Sequence, residues 1–498
     1  MAAAEGRSLD LLERFQLAQA RAGSVPCITI IGLMAVTSDK LGLILERIGH
    51  NIDRLLRTHP VLVSSIDNTD IRRPRWLLNN GYRPFAAEEI IEPQFVEVGS
   101  IAQMAEAEDA EAQAFSLTDG PLWRIGFYYL KHQPFDAYVA LTIHHVITDG
   151  MGALGLFEEV MRQPFGVPTT SSQPRPQPMP PKAQKTIRVK PSVIGIVRKG
   201  ARWILNHRLS SKVTHGLGAT TKWPPTNLLK DNPRRPDVSY ISVDFSKDQN
   251  RIVERLEALG HQIGTVHSVL HTAAVVALAA AFSSGNELHT FDTIGTETPM
   301  SLRSQRHPRI GGNYIGLVER SIPISKLRSE TIASFTKDMN DYIHSREARS
   351  DARSRVGEFR LLPDRLIPDL WKARLIKRAT ADNPFRNSLR VSNLGRFEPT
   401  RIPGLQKVWF CHASMPWDAA INMDVVSLNL TQPSDVSGRR EARLAVMISW
   451  IDGAIGRDLI NRFCAALIKV VNLLAKAGGA PNLDRHAMRG RHLQDLVN

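Results

Sequence analysis

Cysteine is scarce in this chain, which has three cysteines among 498 residues. Cys27, Cys411 and Cys464 lie far apart in the sequence and form no CxxC pair. This spacing argues against a disulfide framework and against a structural zinc site, and we expect no metal ion. Such cysteine usage is typical of a reducing compartment, so a cytoplasmic protein is predicted.

Long hydrophobic runs are also lacking. The longest apolar stretch, residues 268–282, has about 15 residues and contains His271, whereas a membrane-spanning helix needs ~20 apolar residues. The first twenty residues mix acidic and basic side chains and have no continuous apolar core of the kind that a secretory signal requires. Neither secretion nor a membrane span is therefore predicted.

Acidic residues are missing from residues 160–230, a segment that holds 13 Lys and Arg residues. It accounts for nearly all of the formal net charge of +14, and the rest of the chain is close to neutral. A nucleic-acid-binding protein usually carries its basic surface on a folded module with a recognisable motif. No such motif is visible here, so no nucleic-acid partner is predicted.

Two features lie within this basic segment. Residues 166–185 are rich in proline and predict a linker or surface crossover. Residues 191–209 have the apolar periodicity of a basic amphipathic helix. This helix could cover the core, attract the phosphates of a substrate or an acidic carrier protein, or make a peripheral contact with a membrane surface. The sequence leaves these three roles open.

The length favours at least two compact units. The proline-rich stretch predicts boundaries at 1–165, 166–234 and 235–498. Helices and strands recur on both sides of it, which predicts a mixed α/β (α+β) fold. Helices are predicted at 38–56, 264–282 and 458–474. Strands are predicted at 59–66, 122–130, 138–145, 239–245, 288–295, 314–322, 388–395, 408–413 and 444–451.

The most specific signal is LTIHHVITDGMGALGLF at residues 141–157. It places His144 and His145 at the end of a predicted buried strand and Asp149 and Gly150 at the start of a helix. Ordinary strand-end histidines followed by a helix-capping aspartate would give the same pattern. A neutral histidine aimed into a cleft could instead take a proton from an attacking hydroxyl, amine or thiol, because its ordinary pKa lies near 6.5.

The glycines of this segment offer another interpretation. Gly150, Gly152 and Gly155 have the GxGxxG spacing of a dinucleotide-binding turn. Such a fold also needs an acidic residue about 20 positions further on, at the end of a second parallel strand. The proline-rich stretch occupies that position, so a dinucleotide site is disfavoured.

Several segments resemble the chloramphenicol-acetyltransferase-like superfamily, which includes condensation domains, alcohol acetyltransferases and polyketide-associated acyltransferases. The HHxxxDG pattern at residues 144–150 is similar to the signature motif of this superfamily. Residues 57–66 and 119–130 are similar to the strands that precede that motif. PMSLRSQRHPRIGGNYIG at 299–316 and VSNLGRF at 391–397 resemble segments of its second half. The resemblance extends over the whole chain and implies two such subdomains with a channel at their interface.

The resemblance also implies roles for individual residues. His145 corresponds to the general base. Asp149 corresponds to the carboxylate of a structural ion pair whose partner is Arg303, and Gly150 completes the motif. His144, Ser392 and Asn393 are candidates for lining the channel or binding an oxyanion, although His144 is expected on the opposite strand face.

The implied activity is transfer of an acyl group from acyl-CoA, a co-substrate, to a hydroxyl or amine of a small molecule or lipid. Transfer would be direct, in a ternary complex without a bound cofactor. No carrier domain is visible after the last predicted helix, which favours a free-standing enzyme. Two alternatives remain open: a condensation-type enzyme that uses an acyl carrier protein, and a non-catalytic binding protein of the same fold.

A thiol nucleophile at Cys411, beside His412, is disfavoured because its base would need to lie across a cleft. The sequence predicts neither the oligomeric state nor the identity of the substrates.

Overall fold

The computed structural model describes residues 6–35, 38–67, 69–70, 73–77, 86–163, 177–187, 189, 222–223, 237–245, 249–285, 291–358, 367–381, 384–399, 402–430 and 441–478. The predicted amphipathic helix, residues 191–209, lies outside them. Its predicted role in peripheral membrane contact therefore stays a prediction.

Helices and strands alternate along the chain, as the sequence predicts. The helices are α1 (Leu11–Arg21), α2 (Ser38–Thr58), α3 (Ala87–Ile90), α4 (Ile101–Gln113), α5 (Gly150–Met161), α6 (Ala183–Thr186), α7 (Gln249–Ile263), α8 (Val266–Ser284), α9 (Ile324–Ser329), α10 (Ile332–His344), α11 (Arg346–Glu358), α12 (Ile367–Ala379) and α13 (Arg457–Gly478). The strands are β1 (Cys27–Ala35), β2 (Ser65–Asp67), β3 (Arg75–Leu77), β4 (Ile91–Val98), β5 (Trp123–Leu130), β6 (Gln133–His144), β7 (Val238–Val243), β8 (Thr293–Ser301), β9 (Ile315–Pro323), β10 (Asn387–Phe397), β11 (Leu405–His412), β12 (Ala419–Leu430) and β13 (Glu441–Ile451).

The first sheet has five strands in the order β11-β1-β6-β5-β4. Strand β6 lies between β1 and β5 and pairs antiparallel with both. A dinucleotide-binding turn needs a parallel strand beside the one that precedes its glycines. The pairing of β6 therefore removes that interpretation of the GxGxxG spacing.

The second sheet has six strands in the order β7-β13-β12-β10-β8-β9. Strand β10 pairs in parallel with both β12 and β8. Helix α8 packs against this sheet and against α13. Although α8 has the length and apolar character of a membrane-crossing helix, 78% of its most apolar window is buried inside the protein. It therefore has the environment of a core helix.

Secondary-structure elements of the two halves of the sequence pack with each other. Strand β11, from the second half of the sequence, is an edge strand of the first sheet and pairs with β1. Helix α1 packs on α12, where the rings of Phe15 and Trp371 meet edge to face at 5.3 Å. The mixed fold in two subdomains is confirmed, but a cut at residue 235 would leave β11 on the wrong side of the division. The predicted domain boundaries remain a proposal.

Candidate active site

A cavity of about 590 Å³ lies where the two halves meet, and residues of both halves line it. The first half contributes His145, Asp149 and Gly150, at the turn between β6 and α5. Ser392 and Asn393 reach it from β10 in the second half. The fold thus brings five of the predicted site residues to one cavity.

His144 does not line this cavity, so the prediction of a channel role for it is wrong. Its side chain is fully buried, and its Nδ1 accepts a hydrogen bond of 2.9 Å from the Val146 N–H. Burial and, to a smaller extent, the neighbouring His145 lower the pKa of His144 to about 3. Consecutive residues of a strand point to opposite faces, so His144 is a neutral core residue that holds the turn.

His145 lies in the cavity wall and is 6% exposed. Burial lowers its pKa below the ordinary value, while the negative charge of Asp149 and a hydrogen bond to its own backbone raise it. The balance is a lowered pKa, so the ring is neutral at physiological pH. A neutral imidazole has one nitrogen that can accept a proton.

Asn313 contacts His145 on the Nδ1 side of its ring. Its amide nitrogen lies 3.0 Å from His145 Nδ1 and 3.3 Å from the His145 carbonyl oxygen. Its own oxygen, Oδ1, is buried and has no hydrogen-bond partner. The His145 ring also forms a hydrogen bond with its own backbone, which favours the protonated ring nitrogen on that side. In the tautomer protonated at Nδ1, Nε2 keeps its lone pair for a substrate.

The pH dependence of a reaction that uses His145 as base follows from its lowered pKa. The base must be neutral to accept a proton. His145 becomes protonated only when the pH falls below its lowered pKa, which lies under ~6.5. We therefore expect kcat/KM to stay constant from neutral pH down past 6.5 and to fall at lower pH. A rate profile from pH 4.5 to 8.5 measures this. An acidic limb centred at or above 6.5 would contradict it.

Asp149 is held by the second half of the chain. Both of its carboxylate oxygens accept from Arg303 Nε at 3.0 Å, and Oδ2 also accepts from the Tyr314 N–H at 2.9 Å. On its own side, Oδ1 caps helix α5 by accepting from the Gly152 N–H at 3.0 Å. The structure thus brings Asp149 and Arg303 together as an ion pair that fixes the turn carrying His145.

Arg303 also forms hydrogen bonds with the neighbouring loop. Its Nη2 donates to the carbonyl oxygens of Gly312 at 2.7 Å and Gly311 at 3.2 Å. Gly311 and Gly312 have positive φ, 79° and 76° respectively, a conformation that other residues rarely adopt. Asn313 follows directly, so the same loop presents its amide to His145.

A side chain added at Gly152 would clash more severely than one added at Gly150, the glycine of the motif. A Cβ at Gly152 would lie 1.9 Å from Thr148 Oγ1 and 2.7 Å from Arg303 Nη2, whereas one at Gly150 would approach the end of the flexible Leu394 side chain at 2.8 Å. We expect Gly152→Ala to lower the free energy of unfolding by about 1–3 kcal/mol. Gly150→Ala should have a smaller effect. Urea unfolding compares the two, and a Gly152→Ala protein as stable as Gly150→Ala would refute this account.

Two polar residues of the cavity wall, His412 and Asp424, were not predicted as site residues. The ring of His412 lies 5.7 Å from that of His145, centroid to centroid. Asp424 Oδ2 accepts from the His412 N–H at 2.9 Å, while Asp424 Oδ1 and His412 Nδ1 are buried without a partner. Burial raises the pKa of Asp424 to about 8 and holds that of His412 well below its ordinary value. Both are therefore uncharged near neutral pH.

Cys411 faces away from the cavity, unlike its neighbour His412. Burial and the nearby Asp424 raise the pKa of the Cys411 thiol well above its ordinary value. A thiol is nucleophilic as its thiolate, so the environment of Cys411 disfavours a catalytic role, as the sequence does.

The second half also supplies a buried charged group beside the candidate oxyanion residues. Arg390 donates to Glu297 at 2.5 Å and lies 3.1 Å from Asp418. Ser392 follows two residues later on β10, in register with Asp424 on β12. Asn393 uses its side-chain oxygen to accept from the Gly395 N–H at 2.7 Å, which leaves its amide N–H groups available for a ligand.

No protein-family model matches the chain, and no curated protein matches its sequence. Solved structures do match along nearly the whole length. Trichothecene 15-O-acetyltransferase from Fusarium sporotrichioides is similar with a TM-score of 0.59 and 11% identity, over 94% of this chain and 94% of that chain. Polyketide synthase associated protein 5 from Mycobacterium tuberculosis is similar with a TM-score of 0.54 and 15% identity, over 97% of this chain and 100% of that chain.

The epimerization domain from the third module of tyrocidine synthetase B is also similar, with a TM-score of 0.55 and 13% identity, over 95% of this chain and 98% of that chain. Identities this low establish a shared fold, and one fold can support several reactions. The chain therefore has the two-subdomain fold of the condensation-domain and chloramphenicol-acetyltransferase-like superfamily.

Proposed function

We propose that the protein is an acyltransferase that moves an acyl group from a thioester to a hydroxyl or amine acceptor, with His145 as the general base. The observation that carries this proposal is the position of His145. It is neutral, it lines a cavity between two subdomains, and an ion pair across those subdomains fixes its turn.

The chemistry needs one base and one oxyanion site. In the proposed reaction, His145 Nε2 takes the proton of the acceptor hydroxyl or amine as its oxygen or nitrogen attacks the thioester carbonyl. The resulting tetrahedral oxyanion collapses, the C–S bond breaks, and the imidazolium returns its proton to the leaving thiolate. All atoms and charges balance without a covalent enzyme intermediate.

Ser392 and Asn393 are the proposed donors to that oxyanion. Both lie on β10 and line the cavity that His145 also lines. One preorganised donor to such an oxyanion is worth ~3 kcal/mol of transition-state stabilisation. His412 and Asp424 line the same cavity and are further candidates for holding the acceptor.

We propose acyl-CoA as the donor and an alcohol as the acceptor. The name of one protein of this fold, trichothecene 15-O-acetyltransferase, describes O-acetyl transfer. The epimerization domain shows that the same fold also occurs in proteins named for another reaction. A donor bound to an acyl carrier protein, an amine acceptor and a non-catalytic binding role therefore remain alternatives. A cytoplasmic location and membrane contact through residues 191–209 are also proposals.

The test is a product analysis with the purified protein. Donors from acetyl-CoA to palmitoyl-CoA, and the same acyl groups on a carrier protein, are offered with pooled alcohols or amines, and acylated products are identified by mass spectrometry. The proposal predicts esters formed from CoA donors. Products from the carrier-bound donors alone would favour the condensation-type alternative. Binding of acyl-CoA without transfer or hydrolysis would favour the binding protein.

A further inference from the structure

One face of helix α12 carries two arginines into the cavity. Trp371, Arg374, Leu375 and Arg378 all line it, and residues three, four and seven positions apart lie on one face of a helix. Leu375 is buried in a cluster with Met415, and Trp371 packs against the same cluster. This packing fixes the direction in which the helix presents its arginines.

These two arginines differ from the others in the cavity wall. Arg355 and Arg386 form ion pairs with Glu319, and Arg390 pairs with Glu297 and Asp418.

Arg374 and Arg378, in contrast, form no ion pair with any residue that the structure describes. Arg374 lies over the Trp371 ring, with its guanidinium carbon 5.6 Å from the ring centroid. Burial and the neighbouring Arg386 lower the pKa of Arg378, while the negative charges of Asp418 and Glu319 raise it. These two carboxylates form their ion pairs with Arg355, Arg386 and Arg390. Positive charge in this part of the wall therefore exceeds the negative charge that is paired with it.

Among the described residues, four carboxylates line the cavity: Asp149, Glu358, Asp418 and Asp424. The negative charge of Glu358 acts on Arg355. Asp149 is paired with Arg303, and Asp418 with Arg390. Asp424 is kept protonated near neutral pH by its burial. An anion bound between Arg374 and Arg378 would neutralise two like charges that the fold holds one helical turn apart.

We propose that Arg374 and Arg378 form a subsite for a phosphate group of a substrate. Guanidinium groups present parallel N–H donors that match the oxygens of a phosphate, and such charge-assisted hydrogen bonds are among the strong ones in proteins. The subsite belongs to the cavity that His145 also lines, so this inference names a substrate class for the proposed transferase and rests on that function for its biological meaning. The phosphate could belong to a nucleotide-bearing thioester donor or to a phosphorylated acceptor.

The experiment compares two charge-matched double variants of the full-length protein. Arg374→Gln with Arg378→Gln removes the subsite. Lys372→Gln with Lys377→Gln removes the same charge from positions of the same helix that do not line the cavity. All four side chains are exposed, so the two variants differ in position and not in exposure. Calorimetric titrations measure the affinity for inorganic pyrophosphate, CoA, 3′-dephospho-CoA and pantetheine. Circular dichroism verifies that each variant is folded.

We expect the arginine variant to bind pyrophosphate about 10- to 100-fold more weakly than the wild type, and the lysine variant to bind it unchanged. Higher ionic strength should weaken the wild-type affinity. If CoA affinity falls in parallel while pantetheine affinity is unchanged, the phosphate is that of the donor. If CoA affinity is unchanged, it is that of the acceptor.

Equal pyrophosphate affinity in the wild type and the arginine variant would overturn the proposal, and so would an equal loss in the lysine variant. The titrations do not require turnover and can be repeated with the His145→Ala protein. If Arg374 and Arg378 do not bind phosphate, the transferase proposal is unaffected. If the protein shows no transferase activity, the phosphate subsite is unaffected.

Discussion

Replacement of His145 by alanine is expected to lower the rate of acyl transfer by ~10²- to 10⁴-fold without unfolding the protein. The side chain lines an existing cavity, so its removal enlarges a space that a ligand or water already enters. The lost group is the proton acceptor of the proposed reaction. His412 lines the same cavity with its ring 5.7 Å from that of His145, but burial holds its pKa well below the ordinary value, which makes it a weak base.

The control for this variant is His261→Ala. His261 is exposed near the end of helix α7 and does not line the cavity. Its replacement should leave both rate and stability unchanged. A His145→Ala protein that is folded and as active as His261→Ala would remove His145 from the mechanism.

Replacement of Arg303 by methionine should have the largest effect on stability. Arg303 is the partner of the buried Asp149 and also donates to backbone carbonyls of the loop before Asn313. Removing one member of a buried ion pair leaves an uncompensated charge, which typically lowers the free energy of unfolding by about 3–5 kcal/mol. Urea unfolding monitored by tryptophan fluorescence measures this loss.

A double-mutant cycle separates the ion pair from the rest of this network. Asp149→Asn and Arg303→Met are compared singly and together, and the double variant should be more stable than the sum of the single losses implies. Arg349→Met, at an exposed position on α11, is the control and should change stability by less than about 0.5 kcal/mol. If Arg303→Met were no more destabilising than Arg349→Met, the ion pair would not be the anchor of the turn.

The region around the motif could be predicted from the sequence because its signals are local. The apolar run before His144 predicts a strand, and β6 ends at that residue. Asp149 is a favoured helix-capping residue, and α5 begins one position later. The pairing of Asp149 with Arg303 spans 154 positions in sequence; the resemblance of residues 299–316 to the superfamily pointed to it.

Features that depend on tertiary pairing could not be predicted in this way. Strand composition at 59–66 predicts a strand, yet Pro60–Val63 is a 3-10 helix that has proline at its start, and the strand begins only at Ser65. The segment with Cys411 and His412 was correctly identified as a strand, but nothing in its sequence indicates that it pairs with β1. That pairing brings His412 beside His145, and the register of β10 with β12 brings Asp424 beside Ser392.

The arginine face of α12 was missed for a similar reason. The spacing of Arg374 and Arg378 is compatible with an ordinary solvated helix face. Only the packing of α12 against α1 turns that face into the cavity wall. A charge pattern therefore acquires a functional interpretation only once the neighbours of the helix are known.

The central claim is that His145 acts as the general base in the transfer of an acyl group from a thioester to an acceptor. The most direct test follows thiol release from acyl thioesters, offered as CoA and as carrier-protein conjugates, with and without alcohol acceptors. The account predicts release that depends on the acceptor, matches the acylated product mole for mole, and is lost in His145→Ala. Release at the same rate in wild type and His145→Ala, or the absence of acceptor-dependent release from every donor, would contradict it.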